Sequence, residues 1–261
     1  MRTRPPTWAR SRRWPPPERS PSWARSTPAT TSVLDALVIA GCLSGEEGDA
    51  GVAALARELS AAVGASATLR ARTGGRPVGA PLHEVLGELR GRGARRALVV
   101  TTHVADGRLQ RVAAAAVSAA APGFEELRIA SPLLASEGDF AATAAALDEA
   151  LPEQPDRVVA LAGHRGSECE AAFARLERAL RDRGRRDVLV DSPDRLPERL
   201  LDHSHREALV VPLLMSLGHH ARHDVLEDLA RTLSAQTWPH SLAELPAIRA
   251  LVVDHARKEL P

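Results

Sequence analysis

The 261-residue chain is 44% hydrophobic but only 3% aromatic and has no tyrosine, so alanine, leucine and valine fill its interior and base-stacking platforms are scarce. The formal net charge of +1 divides into +6 over residues 1–31 (seven Arg, one Glu) and −5 beyond, which gives the body no basic face for a phosphate backbone and excludes nucleic acid as the expected partner. Two cysteines, Cys42 and Cys169, with no CxxC pair leave a disulfide framework, a zinc knuckle and a cysteine-held iron–sulfur cluster without support.

Residues 1–31 combine seven Pro, seven Arg and Trp8, Trp14 and Trp23 with no hydrophobic period, and they read as a disordered extension. No apolar core of a secretory signal follows it, and no later apolar run approaches the roughly 20 residues of a membrane span, so a cytoplasmic location is expected.

From Val33 onward strand and helix patterns alternate. Strands are predicted at Leu34–Ala40, Ala67–Ala71, Ala97–Thr102, Leu127–Ala130, Arg157–Ala162, Asp187–Val190 and Ala208–Leu214. Helices are predicted at Ala50–Val63, Pro81–Arg92, Arg108–Ala121, Glu137–Leu151, Ser167–Arg183, Pro193–Leu201, His219–Ala235 and Leu245–Glu259. Continuous apolar strands between amphipathic helices argue for an α/β fold with parallel sheets covered on both faces. The run Ala97–Val100 reaches Gly107 with the same spacing as Ala208–Val211 reaches Gly218. Two similar Rossmann-like halves follow, 32–131 and 132–261, with a cleft between them and a last helix able to pack back on the first half.

The chemistry gathers at strand ends, where open α/β sheets place their ligands. After the last long strand comes Gly218-His219-His220-Ala221-Arg222-His223-Asp224. On an α-helix His220 and Asp224 share a face, and His219 and His223 share a neighbouring one. A carboxylate so placed fixes one imidazole nitrogen and leaves the other for metal or proton. The strand Val158–Ala162 runs into Gly163-His164-Arg165-Gly166, whose glycines would let a ligand approach the backbone. Asp191 follows a third strand, with an oxygen ligand, a proton acceptor and a helix cap all open to it. His103 ends a strand of the first half and is expected to face the same cleft. His83, His203, His205, His240 and His255 are expected at the surface. No GxxxxGK[ST], GxGxxG after a strand or GxSxG is present, so no nucleotide cofactor is expected.

The stretches Val158–Phe173 and Ala208–Asp224 and the tail Leu245–Ala250 resemble the anaerobic, sirohydrochlorin-type cobaltochelatases of the class II chelatase superfamily. The resemblance implies two chelatase-like halves around a tetrapyrrole, with Co²⁺ entering the ring as substrate metal without ATP. It places the catalytic and metal-binding histidines at His164 and His220, with Asp191 as the acidic metal partner where the family usually has glutamate. From their positions, substrate contacts are also expected at His103, Arg165, His219 and Arg222, the arginines pairing with the macrocycle's carboxylates, and Asp224 is expected to support the histidines. This chain departs from the family at Gly41-Cys42-Leu43-Ser44, at Arg108-Leu109 and at Arg165, where a small residue is usual. Iron or nickel insertion and a non-catalytic tetrapyrrole or metal carrier are the alternatives; a homo-oligomer is left open.

Overall fold

A computed structural model describes residues 34–41, 50–74, 79–152, 156–165, 167–203, 205–218 and 220–260, with the backbone alone for His220. The N-terminal extension, Cys42–Ser44, Gly166 and His219 lie outside the described residues.

The first half contains β1 (Leu34–Gly41), α1 (Ala50–Val63), β2 (Ala65–Arg72), α2 (Leu82–Gly91), β3 (Arg96–Thr101), α3 (Arg108–Ala120) and β4 (Glu126–Ile129). The chain continues through α4 (Glu137–Ala150), β5 (Arg157–Ala162), α5 (Glu170–Asp182), β6 (Val188–Asp191), α6 (Leu196–Leu200) and β7 (Glu207–Pro212). A π-helical segment, His220–Leu229, then runs into α7 (Ala230–Leu233), followed by β8 (Gln236–Thr237) and α8 (Pro246–Lys258).

The strands form two parallel four-stranded sheets with the same order, β2-β1-β3-β4 and β6-β5-β7-β8. That repeated order is the structural counterpart of the Ala-Leu-Val-Val echo, since β3 and β7 take equivalent places. The fold is therefore α/β, with two like sheets flanked by helices.

Strand parity explains why the strands read as unbroken apolar runs. Leu37 and Ile39 of β1, and Val159 and Leu161 of β5, point into one core cluster shared by the two halves. The alternate residues Ala36, Val38 and Ala40 pack into a separate cluster with α2 and α3. Val158, Ala160 and Ala162 likewise meet α6 and the π-helical segment. Burial on both faces removes the polar alternation of a half-exposed strand.

The C-terminal helix belongs to the shared layer. α8 packs on both α1 and α4, Arg249 Nε donates to Glu58 Oε1 at 2.8 Å, and Arg128 Nη1 donates to the Glu259 carbonyl at 2.8 Å. The 3-10 turn Leu242–Glu244 that leads into α8 lies against Gly51 of α1. A Cβ there would stand 2.6 Å from the Ala243 carbonyl carbon and 2.6 Å from the Glu244 nitrogen, both backbone atoms that cannot rotate away. Gly51→Ala is expected to lower stability by about 1–3 kcal/mol, as overpacking does elsewhere. Urea unfolding would show it as a lower midpoint with an unchanged slope.

Candidate functional site

The carboxyl ends of β3 and β5 contribute to one cleft. Its cavity, about 460 Å³, is lined by His103 and the start of α3 from the first half and by His164, Arg165, Cys169 and Leu213 from the second. A smaller cavity of about 200 Å³ adjoins it, lined by Gly163, His164, Arg165, Pro193, Asp224 and Val225 among others. His164 and Arg165 stand in the wall common to both.

Hydrogen bonding in the second sheet arranges this wall. Ala162 of β5 pairs with Asp191 of β6 on one side and with Pro212 of β7 on the other. Beyond the strands, Gly163 N donates to the Asp191 carbonyl at 3.0 Å and Leu213 N to the Ala162 carbonyl at 2.8 Å. Three turns therefore leave the sheet side by side, with the half-buried His164 on the middle one. Gly163 serves packing here: a Cβ would lie 2.2 Å from Cζ of Phe173, so its missing side chain admits that ring.

The described residues place the start of the helix after β7 beside His164 through Asp224, which shares the small cavity. The segment is wound with i→i+5 bonding, however, a wider helix that is rare at this length and tends to occur at functional sites. Residues four apart still meet on it, as His223 Nδ1 and Glu227 Oε2 do at 2.9 Å. Asp224 Oδ2 lies 3.7 Å from Arg165 Nε.

The Asp191 carboxylate has partners within the chain. Asp191 is the last residue of β6, only 6% exposed, and its carboxylate is already engaged. Oδ1 accepts from Ser192 N at 2.8 Å; Oδ2 accepts from Arg199 Nη1 at 3.3 Å and lies 3.7 Å from Arg195 Nε. Arg199 Nη2 reaches Glu177 Oε1 at 2.8 Å, and Glu177 Oε2 accepts from Val190 N at 2.8 Å. This buried cluster fastens β6 to α5 and α6 and engages both Asp191 oxygens.

His103 lines the large cavity but both ring nitrogens are engaged. Nδ1 lies 3.0 Å from Gln110 Oε1, which also accepts the Thr101 hydroxyl at 2.6 Å, and Nε2 lies 2.9 Å from Thr73 Oγ1. Gln110 Oε1 only accepts, so Nδ1 carries the hydrogen and Nε2 takes one from Thr73. Burial holds this imidazole below the ordinary histidine range, against a smaller upward pull from Gln110. It is a neutral, fixed wall of the cleft.

The two arginines expected to meet substrate carboxylates have intramolecular partners. Arg165 Nη1 donates to Asp194 Oδ1 at 2.6 Å, and Arg222 Nε turns back to the Leu217 carbonyl at 2.9 Å. Thr73, Gln110 and Glu168 were not singled out in the sequence. Glu168 accepts from Arg108 N and pairs with Arg111 at 3.1 Å, joining the halves beside the cleft. Among the other histidines, His255 is a correction: it is 4% exposed and bonded to Asp139. Among the described residues no three His, Cys, Asp or Glu side chains form a metal cluster. No helix among them is long and apolar enough to cross a membrane.

Residues 69–260 match the model of the family described as cobalt chelatase (CbiK), well over half of the chain. The chain belongs to that family. A sirohydrochlorin cobaltochelatase from Salmonella typhimurium is 27% identical over 193 residues, covering 68% of this chain and 73% of that protein. Among solved structures, the sirohydrochlorin chelatase SirB from Bacillus subtilis subspecies spizizenii, in complex with cobalt, is similar with a TM-score of 0.58 at 14% identity. It covers 86% of this chain and 94% of its own. SirB from Bacillus subtilis with Fe³⁺ gives a TM-score of 0.57 at 13% identity, over 86% and 95% of the two chains. At these identities the structural likeness speaks for the fold: two similar halves enclosing a cleft.

Proposed function

We propose that this cobalt chelatase family member inserts Co²⁺ into sirohydrochlorin without ATP. The observation that carries the site assignment is the position of His164. It follows a central strand and lines two neighbouring cavities, one of which is also lined by the other half of the chain. A cavity of about 460 Å³ falls in the range that takes small organic ligands, roughly 300–1,000 Å³.

Insertion exchanges the two inner N–H protons of the macrocycle for one divalent ion, so charge balances when both protons leave. A site for this exchange must hold the metal loosely and accept protons near neutral pH. Neutral imidazole does both, with an ordinary pKa of about 6.5, whereas a thiolate cage would retain a borderline metal too tightly. We assign metal holding and proton acceptance to His164 and His220. Asp191, kept by Arg195 and Arg199, is assigned to fixing the β6 turn against Gly163. The reaction is placed in a reducing cytoplasm, where a free thiol such as Cys169 persists.

Absorbance spectra of purified protein with sirohydrochlorin and Co²⁺ test the reading. Many turnovers per protein, faster than the reaction without protein, are expected. A spectral change that stops at one equivalent would make the chain a carrier, and a faster reaction with Fe²⁺ or Ni²⁺ would reassign the metal.

A further inference from the structure

Arg165 sits next to His164, and its side chain links the turns that leave β5 and β6 with the segment that begins at His220. It is carried on the β5 turn. Its Nη1 holds Asp194 Oδ1 of the β6 turn at 2.6 Å, and its Nε lies 3.7 Å from Asp224 Oδ2, on the segment that begins at His220. It lines both cavities that flank His164. We infer that Arg165 is a positioning residue that sets the spacing between the His164 turn and the His220 segment, and through that spacing governs how the site holds and releases its metal.

The physical case rests on what else fixes that spacing. The His220 segment leaves β7 through Leu213–Gly218, a stretch without regular structure, and then winds with i→i+5 bonding. Its Ala221, Val225 and Leu229 are buried in the second-half core, which holds the segment to its own sheet but does not itself set its distance from the His164 turn. The His164 turn, by contrast, is anchored through the Gly163 amide and the Phe173 ring. A planar guanidinium with donors on several edges can hold two carboxylates in fixed relation to its own backbone, which a flexible ammonium cannot. Because Arg165 is itself about half exposed, the pairs add little to global stability. Their effect is local geometry, and supporting groups of this kind alter metal affinity or activity by about 10–100-fold when removed.

The inference rests on the reading of His164 and His220 as the metal pair, so the experiment separates the two. Co²⁺ is titrated into the full chain without macrocycle, and its visible d–d bands, which report coordination geometry, are followed alongside affinity. Arg165→Ala and Asp224→Asn are each expected to weaken Co²⁺ binding by about 10–100-fold and to shift the bands. Arg165→Lys, which keeps the charge without the fork, should fall between. In steady state the KM for Co²⁺ rises while the KM for sirohydrochlorin stays within about twofold. If wild-type protein gives no such bands, or His164→Ala leaves them intact, the histidine reading falls and this inference with it. If wild-type bands are present and Arg165→Ala leaves bands and affinity unchanged, positioning by Arg165 is overturned. A rise confined to the KM for sirohydrochlorin also overturns it, because Arg165 would then be a substrate contact. Should Arg165→Ala fail to fold, Asp194→Asn and Asp224→Asn decide the same question from the other side of each pair.

Discussion

His164→Ala is expected to lower the rate of Co²⁺ insertion by about 10²–10⁴-fold, the loss that follows removal of a positioned proton-transfer group. The folded state should change little. His164 follows β5, the Phe173 ring fills the space beside Gly163, and the anchoring bond from Gly163 to the Asp191 carbonyl is backbone to backbone. Unfolding in urea is therefore expected within about 0.5 kcal/mol of wild type, as for substitutions outside packed cores.

The comparison with His220→Ala sharpens this result. If both imidazoles act on one metal ion, losing either disables the same step, and the double variant should be scarcely slower than the worse single one. Independent losses that multiply would instead mean two separate sites. Exogenous imidazole should restore part of the His164→Ala rate, because a small base fits the cavity left behind. A His164→Ala protein that inserts Co²⁺ at the wild-type rate would remove this residue from the mechanism.

The strands most legible in the sequence are those buried on both faces. β1, β3, β5 and β7 read as continuous apolar runs because adjacent residues serve different cores, and their carboxyl ends located His103 and His164 on one cleft. β8 was invisible: Gln236–Thr237 is two exposed residues, held by pairing with Leu209 and Val210 and not by any pattern of its own. The π-helical winding after β7 leaves no mark in hydrophobic periodicity, so the segment from His220 reads as an α-helix. The Asp191 partners Arg195 and Arg199 carry no mark in the sequence, because they become a cluster only when α6 folds over β6. His255 was misread for a related reason. Its partner Asp139 is 116 residues away, and nothing local marks a histidine on a charged C-terminal helix as buried.

That last pair carries the largest expected effect on stability. Asp139 is the third residue of α4, where its Oδ2 accepts from Ser136 N at 2.7 Å and Ala135 N at 3.2 Å, completing a capping box with Ser136. Its Oδ1 accepts from Nε2 of His255 on α8 at 2.9 Å. Both residues are 4% exposed. Asp139→Ala removes the cap, worth about 1 kcal/mol, and strands a buried donor, at about 1–3 kcal/mol; together the loss is about 2–4 kcal/mol. Burial pushes the Asp139 carboxyl up, but hydrogen bonds from His255 and Ser136 and the His255 charge outweigh it and hold the group below its ordinary value. A carboxyl depressed on folding contributes stability above its unfolded pKa of about 3.9 and loses it as pH falls through the lower folded value. Asp139→Asn keeps the shape without the charge, so it should be less stable than wild type at neutral pH, and the gap should close below about pH 4 as the wild-type carboxyl takes up its proton. A gap that stays constant through that range would mean the pair contributes by packing alone. Because α8 also lies on α1, loosening it at Asp139 should weaken the clasp between the two halves as well as α4, and the cleft they enclose with it.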